Sequence, residues 1–134
     1  MRKAFILFAL FIFSCSSSDD SGNQNQSSIN PPNWIQGSWL LQDGTINSGF
    51  RFSSDDFCLI LVTGQNCFKE SVRLTKNSGG LTNVKEIVTN NSYSIEITLI
   101  SQILTYEFKK VSDAQIEWIN DPLGDLAETI YDKQ

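Results

Sequence analysis

Apolar and polar side chains alternate along residues 93–110. Tyr93, Ile95, Ile97 and Leu99 are interleaved with Ser94, Glu96 and Thr98, and after Ser101 and Gln102 the series resumes with Leu104, Tyr106 and Phe108 against Thr105, Glu107 and Lys109. A period of two predicts strands with one buried face and one wet face. With Ser101 and Gln102 at the tip, Leu99 faces Leu104, Ile97 faces Tyr106 and Ile95 faces Phe108. A slip of one residue would send the two apolar sets to opposite faces. The cost of this register is Glu96 opposite Glu107, and a four-residue loop leaves the register unchanged.

Weaker strand patterns cover the rest of the C-terminal hundred residues: "GSWLLQ" (37–42), "GFRF" (49–52), "FCLILV" (57–62), "FKESVRLT" (68–75), "KEIVT" (85–89), "QIEWI" (115–119) and "LAETIY" (126–131). In residues 68–75, Phe68, Val72 and Leu74 alternate with Lys69, Ser71, Arg73 and Thr75, and Glu70 is the misfit. The turn clusters "SSDD" (53–56), "TGQN" (63–66), "NSGG" (77–80), "NN" (90–91) and "NDPLGD" (120–125) separate them. Short strands at even spacing predict an all-β fold, and hairpins in series close most simply into a small antiparallel up-and-down barrel of about seven to eight strands.

The N-terminus follows a different pattern. Arg2 and Lys3 precede "AFILFALFIF" (4–13), a run too short for a bilayer, which needs ~20 apolar residues, and of the length of a signal-peptide core. Ile12-Phe13-Ser14-Cys15 resembles the lipobox of bacterial lipoproteins. That resemblance implies a signal peptide over residues 1–14, cleavage before Cys15 and a diacylglyceryl group on its thiol. It makes the membrane a partner through the anchor on Cys15, since several acyl chains at ~0.8 kcal/mol per buried methylene hold far better than one. "SSSDDS" after Cys15 is similar to the serine-and-acid export signal of Bacteroidota lipoproteins, which implies lipid anchoring at the outer membrane, on its periplasmic face or at the cell surface.

Charge narrows the partners. The chain has 10 cations, 15 acids and no histidine, a net charge of −5, and loss of Arg2 and Lys3 would leave 8 cations and a net −7. That balance argues against nucleic acid and against electrostatic adhesion to anionic lipid. Residues 15–33 read as a lipidated cysteine and disordered linker, because residues 16–33 hold one large apolar side chain, Ile29, and cannot offset the entropy of ordering. Such a tether has an r.m.s. span of roughly 23 Å. Residues 34–134 have the size of one domain.

"WIQGSWLL" carries Gly37 and Trp39 as Gly-x-Trp, and "YEFKKVSDAQIEW" and "IYDKQ" close the chain. Together these resemble short lipocalin-like domains on Bacteroidota lipoproteins and imply a lipocalin-like barrel over residues 34–134. The resemblance also implies an arginine packed on the first-strand tryptophan, for which the sequence offers no clear counterpart. The domain is short for a barrel with a deep calyx, so the interior is expected to be filled, with no assignable ligand-binding residues. Trp39 and Trp118 read as core or barrel-plug residues rather than ligand-stacking ones. Trp34 reads as a lid over one barrel end or as partly exposed.

Candidate chemistry is sparse. Without histidine the Ser-His and Cys-His dyads and histidine metal sites are excluded. Cys58 and Cys67 cannot fill a four-ligand zinc site, and no cofactor motif appears. Asp55 and Asp56 could be named a carboxylate pair, but "SSDD" reads as a turn. Once Cys15 is acylated in an oxidising compartment, Cys58 and Cys67 are left as an even pair and are expected to form a disulfide. A tight turn at Gly64-Gln65 would hold them ~13 Å apart at ~3.3 Å per residue, beyond the ~7 Å limit between Cα atoms. A disulfide therefore calls for a wider loop. The sequence leads to a non-enzymatic, membrane-tethered interaction or structural module with an unnamed protein partner, or alternatively to a carrier of a small apolar ligand.

Overall fold

The computed structural model describes residues 28–42, 46–126 and 129–134. The expected signal peptide, Cys15 and the expected linker up to residue 27 lie outside these residues. The protein is predominantly antiparallel β: nine strands in one curled sheet forming a half-barrel, and one helix. The strands are β1 (Gly37–Leu41), β2 (Gly49–Phe52), β3 (Phe57–Leu61), β4 (Gly64–Cys67), β5 (Thr82–Val88), β6 (Ser92–Leu99), β7 (Gln102–Lys110), β8 (Gln115–Trp118) and β9 (Ile130–Lys133); helix α1 (Phe68–Asn77) follows β4 directly. Their order is β4-β3-β2-β1-β9-β8-β7-β6-β5. The first strand pairs with the last, so the meander curls on itself, but β4 and β5 do not pair and the sheet stays open between them. The expected closed barrel of seven to eight strands is thus corrected to nine strands and a gap, and α1 packs from β3 across to β5 and β6.

Two departures from the sequence reading create this gap. Residues 68–75 are helical, not extended. Phe68 and Val72, one helical turn apart, are the buried residues, and Leu74, which the strand pattern turned inward, is 54 % exposed. Glu70 fits the helix where it did not fit the strand: it lies in the first turn, where the helix dipole favours an acid, and pairs with Arg73. The helix ends at Gly79, whose φ of +79° suits a left-handed cap. The second departure is β4. Gly64, Gln65 and Asn66 read as a turn, but they form a strand on β3, with Leu61 opposite Gly64 and Cys58 opposite Cys67. The turn is Val62-Thr63, two residues earlier than Gly64-Gln65.

The β6–β7 hairpin also shifts by two residues. Leu99 pairs with Gln102, Ile97 with Leu104, Ile95 with Tyr106 and Tyr93 with Phe108, so Ile100 and Ser101 form the tip. A two-residue shift keeps every side chain on its face, and Tyr93, Ile95, Ile97 and Phe108 are all buried. The shift also removes the expected Glu96–Glu107 clash: Glu96 faces Thr105 and lies 3.2 Å from Lys85 on β5.

The interior is an aromatic cluster. Phe50 meets Phe108 edge-on at 4.8 Å and Trp118 at 5.2 Å, and Phe52, Phe57 and Phe68 stack in series at 5.0 and 5.2 Å. One end of the barrel is sealed by residues 28–36. Ile29, Pro31 and Ile35 are buried, although residues 28–33 were assigned to the linker. The backbone N–H of Asn30 donates to Glu86 Oε1 at 2.8 Å, and so does the hydroxyl of Tyr93 at 2.7 Å. Trp34 is the lid at this end, its Nε1 donating to the Thr89 carbonyl at 3.1 Å.

Candidate functional site

The end of the barrel opposite the strap carries an apolar recess. It is a pocket of about 220 Å³ lined by Phe50, Leu59, Leu61, Tyr106, Trp118 and Tyr131, with Gly49 at its rim. Burial raises the Tyr106 phenol above its ordinary pKa, so it stays protonated. The volume falls below the ~300–1,000 Å³ usual for a small-molecule site. Beside it, Phe50, Phe52, Phe57, Phe68 and Phe108 pack together in the core. Trp118 is held in the wall by Asn120, whose Oδ1 accepts from the indole Nε1 at 2.8 Å and from the Glu107 N–H at 2.8 Å. Of the two candidate stacking aromatics, Trp118 lines the recess, whereas Trp39 is wholly buried at the other end.

Trp39 has a cation on its face. Lys133 Nζ lies 5.2 Å from the ring centroid, and the indole Nε1 donates to the Ile35 carbonyl at 2.7 Å. The two residues are directly paired across β1 and β9. No local pattern signals this partner, because Lys133 is 94 positions away.

Cys58 and Cys67 are brought together, their sulfurs 2.07 Å apart and their Cα atoms 4.0 Å apart. The expectation that a disulfide excludes a tight hairpin is overturned: with the turn at Val62-Thr63, the two residues fall opposite each other. Arg51 lies over the pair, its Nη2 3.8 Å from Cys58 Sγ and 4.0 Å from Cys67 Sγ. A shallow outer trough of about 420 Å³ runs beside Arg51, between Ser38 and Gln65.

Asp55 and Asp56 do not form a carboxylate pair. Asp55 pairs with Lys69, which holds its carboxyl below the usual range. Asp56 Oδ1 accepts the N–H of Phe57 at 2.8 Å and of Lys69 at 2.9 Å, so it caps α1 from thirteen residues away. Its carboxylate and the two sulfurs fall within 4.8 Å of one another. With the sulfurs bonded to each other and the carboxylate committed to two N–H groups, the cluster serves structure rather than metal binding.

Among the described residues, no helix is long and apolar enough to cross a membrane. The described residues define a small, curled antiparallel β-domain with an aromatic core and a shallow aromatic recess. No protein family, no curated protein and no solved structure matches the chain.

Proposed function

We propose that this protein is a lipoprotein anchored through Cys15 to the outer membrane, carrying a lipocalin-like domain that acts as a non-catalytic interaction or structural module. The filled interior carries this reading: the space a carrier would keep for ligand is taken by Phe50, Phe52, Phe57 and Phe108. The lipocalin likeness gains support from Lys133 over Trp39, which stands where that resemblance implies an arginine. The anchor rests on "FSC" and the apolar run before it. Labelling producing cells with a palmitate analogue is expected to tag the protein, and Cys15→Ala is expected to abolish the tag; a tag that persists in the variant overturns the anchor.

A second reading is favoured by the recess. Its wall of Phe50, Tyr106, Trp118 and Tyr131 suits one short apolar group. Native mass spectrometry of the purified protein separates the two. A stoichiometric co-purifying small molecule that Trp118→Ala releases supports the carrier, and a bare protein mass supports the module.

A further inference from the structure

Arg51, Cys58 and Cys67 stand in one row across three strands: Arg51 is opposite Cys58, and Cys58 is opposite Cys67. Phe50, Phe52 and Phe57 beside them are buried in the core, so by alternation the row lies on the outer face of the sheet. Arg51 is exposed, yet among the described residues it has no acid partner. Lys69, Arg73, Lys85 and Lys110 each reach a carboxylate, whereas Arg51 Nη2 rests against the two sulfurs. A guanidinium gains little from a neutral disulfide. It gains far more from a thiolate, which appears only when the bridge opens.

The two sulfurs are not equivalent. Cys58 is 1 % exposed, whereas Cys67 is partly exposed. Cys67 is also the N-cap residue of the ten-residue helix α1, and its side chain makes no capping hydrogen bond. A freed Cys67 sulfur would stand at the positive end of the helix dipole. Asp56 works in the other direction, because its carboxylate falls within 4.8 Å of both sulfurs. Its Oδ1 is committed to the N–H groups of Phe57 and Lys69, and the Arg51 charge offsets it.

The strand that carries Cys67 has little else to hold it. Gly64, Gln65 and Asn66 are exposed, and β4 pairs with β3 alone. Helix α1 keeps its own hold on the core through Phe68 and Val72. Opening the bridge therefore loosens β4 beside the gap and leaves the aromatic core closed.

We infer that Cys58–Cys67 is a thiol-exchange site, opened by a small external dithiol. The trough beside Arg51 and Gln65 gives such a molecule an approach along the same face. One thiolate of the dithiol attacks the accessible Cys67 Sγ. A new S–S bond forms there, the Cys58–Cys67 bond breaks, and its electron pair passes to Cys58 Sγ under Arg51. The second sulfur of the dithiol then attacks the first, and Cys67 leaves as a thiolate at the head of α1. The dithiol ends as a cyclic disulfide, and two electrons and two protons pass to the protein.

Mass spectrometry of the folded full chain tests the inference, with mercaptoethanol as a monothiol probe and dithiothreitol as the dithiol. After a brief pulse of mercaptoethanol and a quench with N-ethylmaleimide, fragment masses are expected to place mercaptoethanol on Cys67 and maleimide on Cys58. The reverse placement overturns the exchange site. Reduction by dithiothreitol is expected without urea, at a rate that low urea leaves unchanged, as for a local opening. A rate that rises steeply with urea marks a bridge reached only through global unfolding and overturns the inference. Arg51→Gln is expected to slow reduction at least threefold and Arg51→Lys to restore most of the rate, with the melting temperatures of the oxidised variants showing that both are folded. Equal rates in Arg51→Gln and wild type overturn the inference too. Should Arg51→Gln not fold, the fragment masses and the urea dependence of the unaltered chain decide alone.

Discussion

Gly37 shows how one residue joins local conformation to packing. Its φ is +131°, and a Cβ there would sit 2.9 Å from Lys133 Cε. The glycine therefore lets the Lys133 stem cross to the face of Trp39. Gly37→Ala is expected to cost roughly 1–3 kcal/mol from the backbone, with Lys133→Ala in the same chain recovering only the part due to the clash; a double-mutant cycle in urea measures both. Ile97 tests the inward face. It is fully buried, and Ile97→Asp would bury a carboxylate with no partner. A loss of several kcal/mol is expected, and a melting temperature within a degree or two of wild type would refute the assignment. Tyr93 tests the polar contact inside the strap. Burial, and then its hydrogen bond to Glu86, push its phenol pKa far above the ordinary value. In the unfolded chain the phenol ionises near ~10. Below that pH its contribution is fully present, and it falls as pH rises further, because the unfolded state releases a proton that the folded state keeps. Unfolding free energy is thus expected to decline above pH ~10, with a shallower decline in Tyr93→Phe.

At the scale of elements, legibility followed the length of the pattern. The β6–β7 hairpin is legible because long alternation fixes which side chains share a face, and a tip displaced by one residue shifts the pairing by two and leaves those faces intact. The tip itself was hidden: Ile100 in a left-handed conformation is chemistry that no turn rule anticipates. Helix α1 is ambiguous in sequence because residues 68–75 hold only two buried positions, Phe68 and Val72, and a spacing of four satisfies periods of both two and 3.6. Strand β4 is hidden in sequence because Gly64, Gln65 and Asn66 carry turn signals, while its pairing is secured by a covalent bond instead. Reducing Cys58–Cys67 is expected to cost roughly 2.5–3 kcal/mol through loop entropy. Intact mass under non-reducing conditions should show no alkylated thiol at either position. Asp56 belongs to the same region. It caps α1 across the chain, and Asp56→Ala is expected to cost about 0.5–2 kcal/mol, read as a lower urea midpoint with an unchanged slope.

For the whole molecule, the hydrophobic pattern implied a barrel, but the way its ends are finished was not legible. Which end is sealed depends on contacts between residues more than fifty positions apart, such as Asn30 with Glu86 and Trp34 with Thr89. Ile29 stands alone in a polar stretch, and composition over such a window reports disorder even where one side chain reaches a core. The strap matters to function because it fixes the polarity of the domain: the chain arrives at the sealed end, and the recess faces away from it. Its hold can be separated into two parts. Burial of Ile29, at 2 % exposure, should contribute about 1.5–3 kcal/mol, and the Asn30 N–H bond to the Glu86 carboxylate about 1.5–3 kcal/mol. Ile29→Ser removes the first and leaves the backbone bond possible. It is expected to lower stability by about the burial figure and to raise amide exchange at Asn30 and Ile35 ahead of the strands. Glu86→Ala removes the second, and should also free the Tyr93 hydroxyl. If the strap is one cooperative unit, the double variant loses less than the sum of the singles, because either change alone already releases it. If Ile29→Ser unfolds within 0.5 kcal/mol of wild type and its amide exchange is unchanged, the strap does not seal this end, and the polarity of the domain would have to be assigned on other grounds.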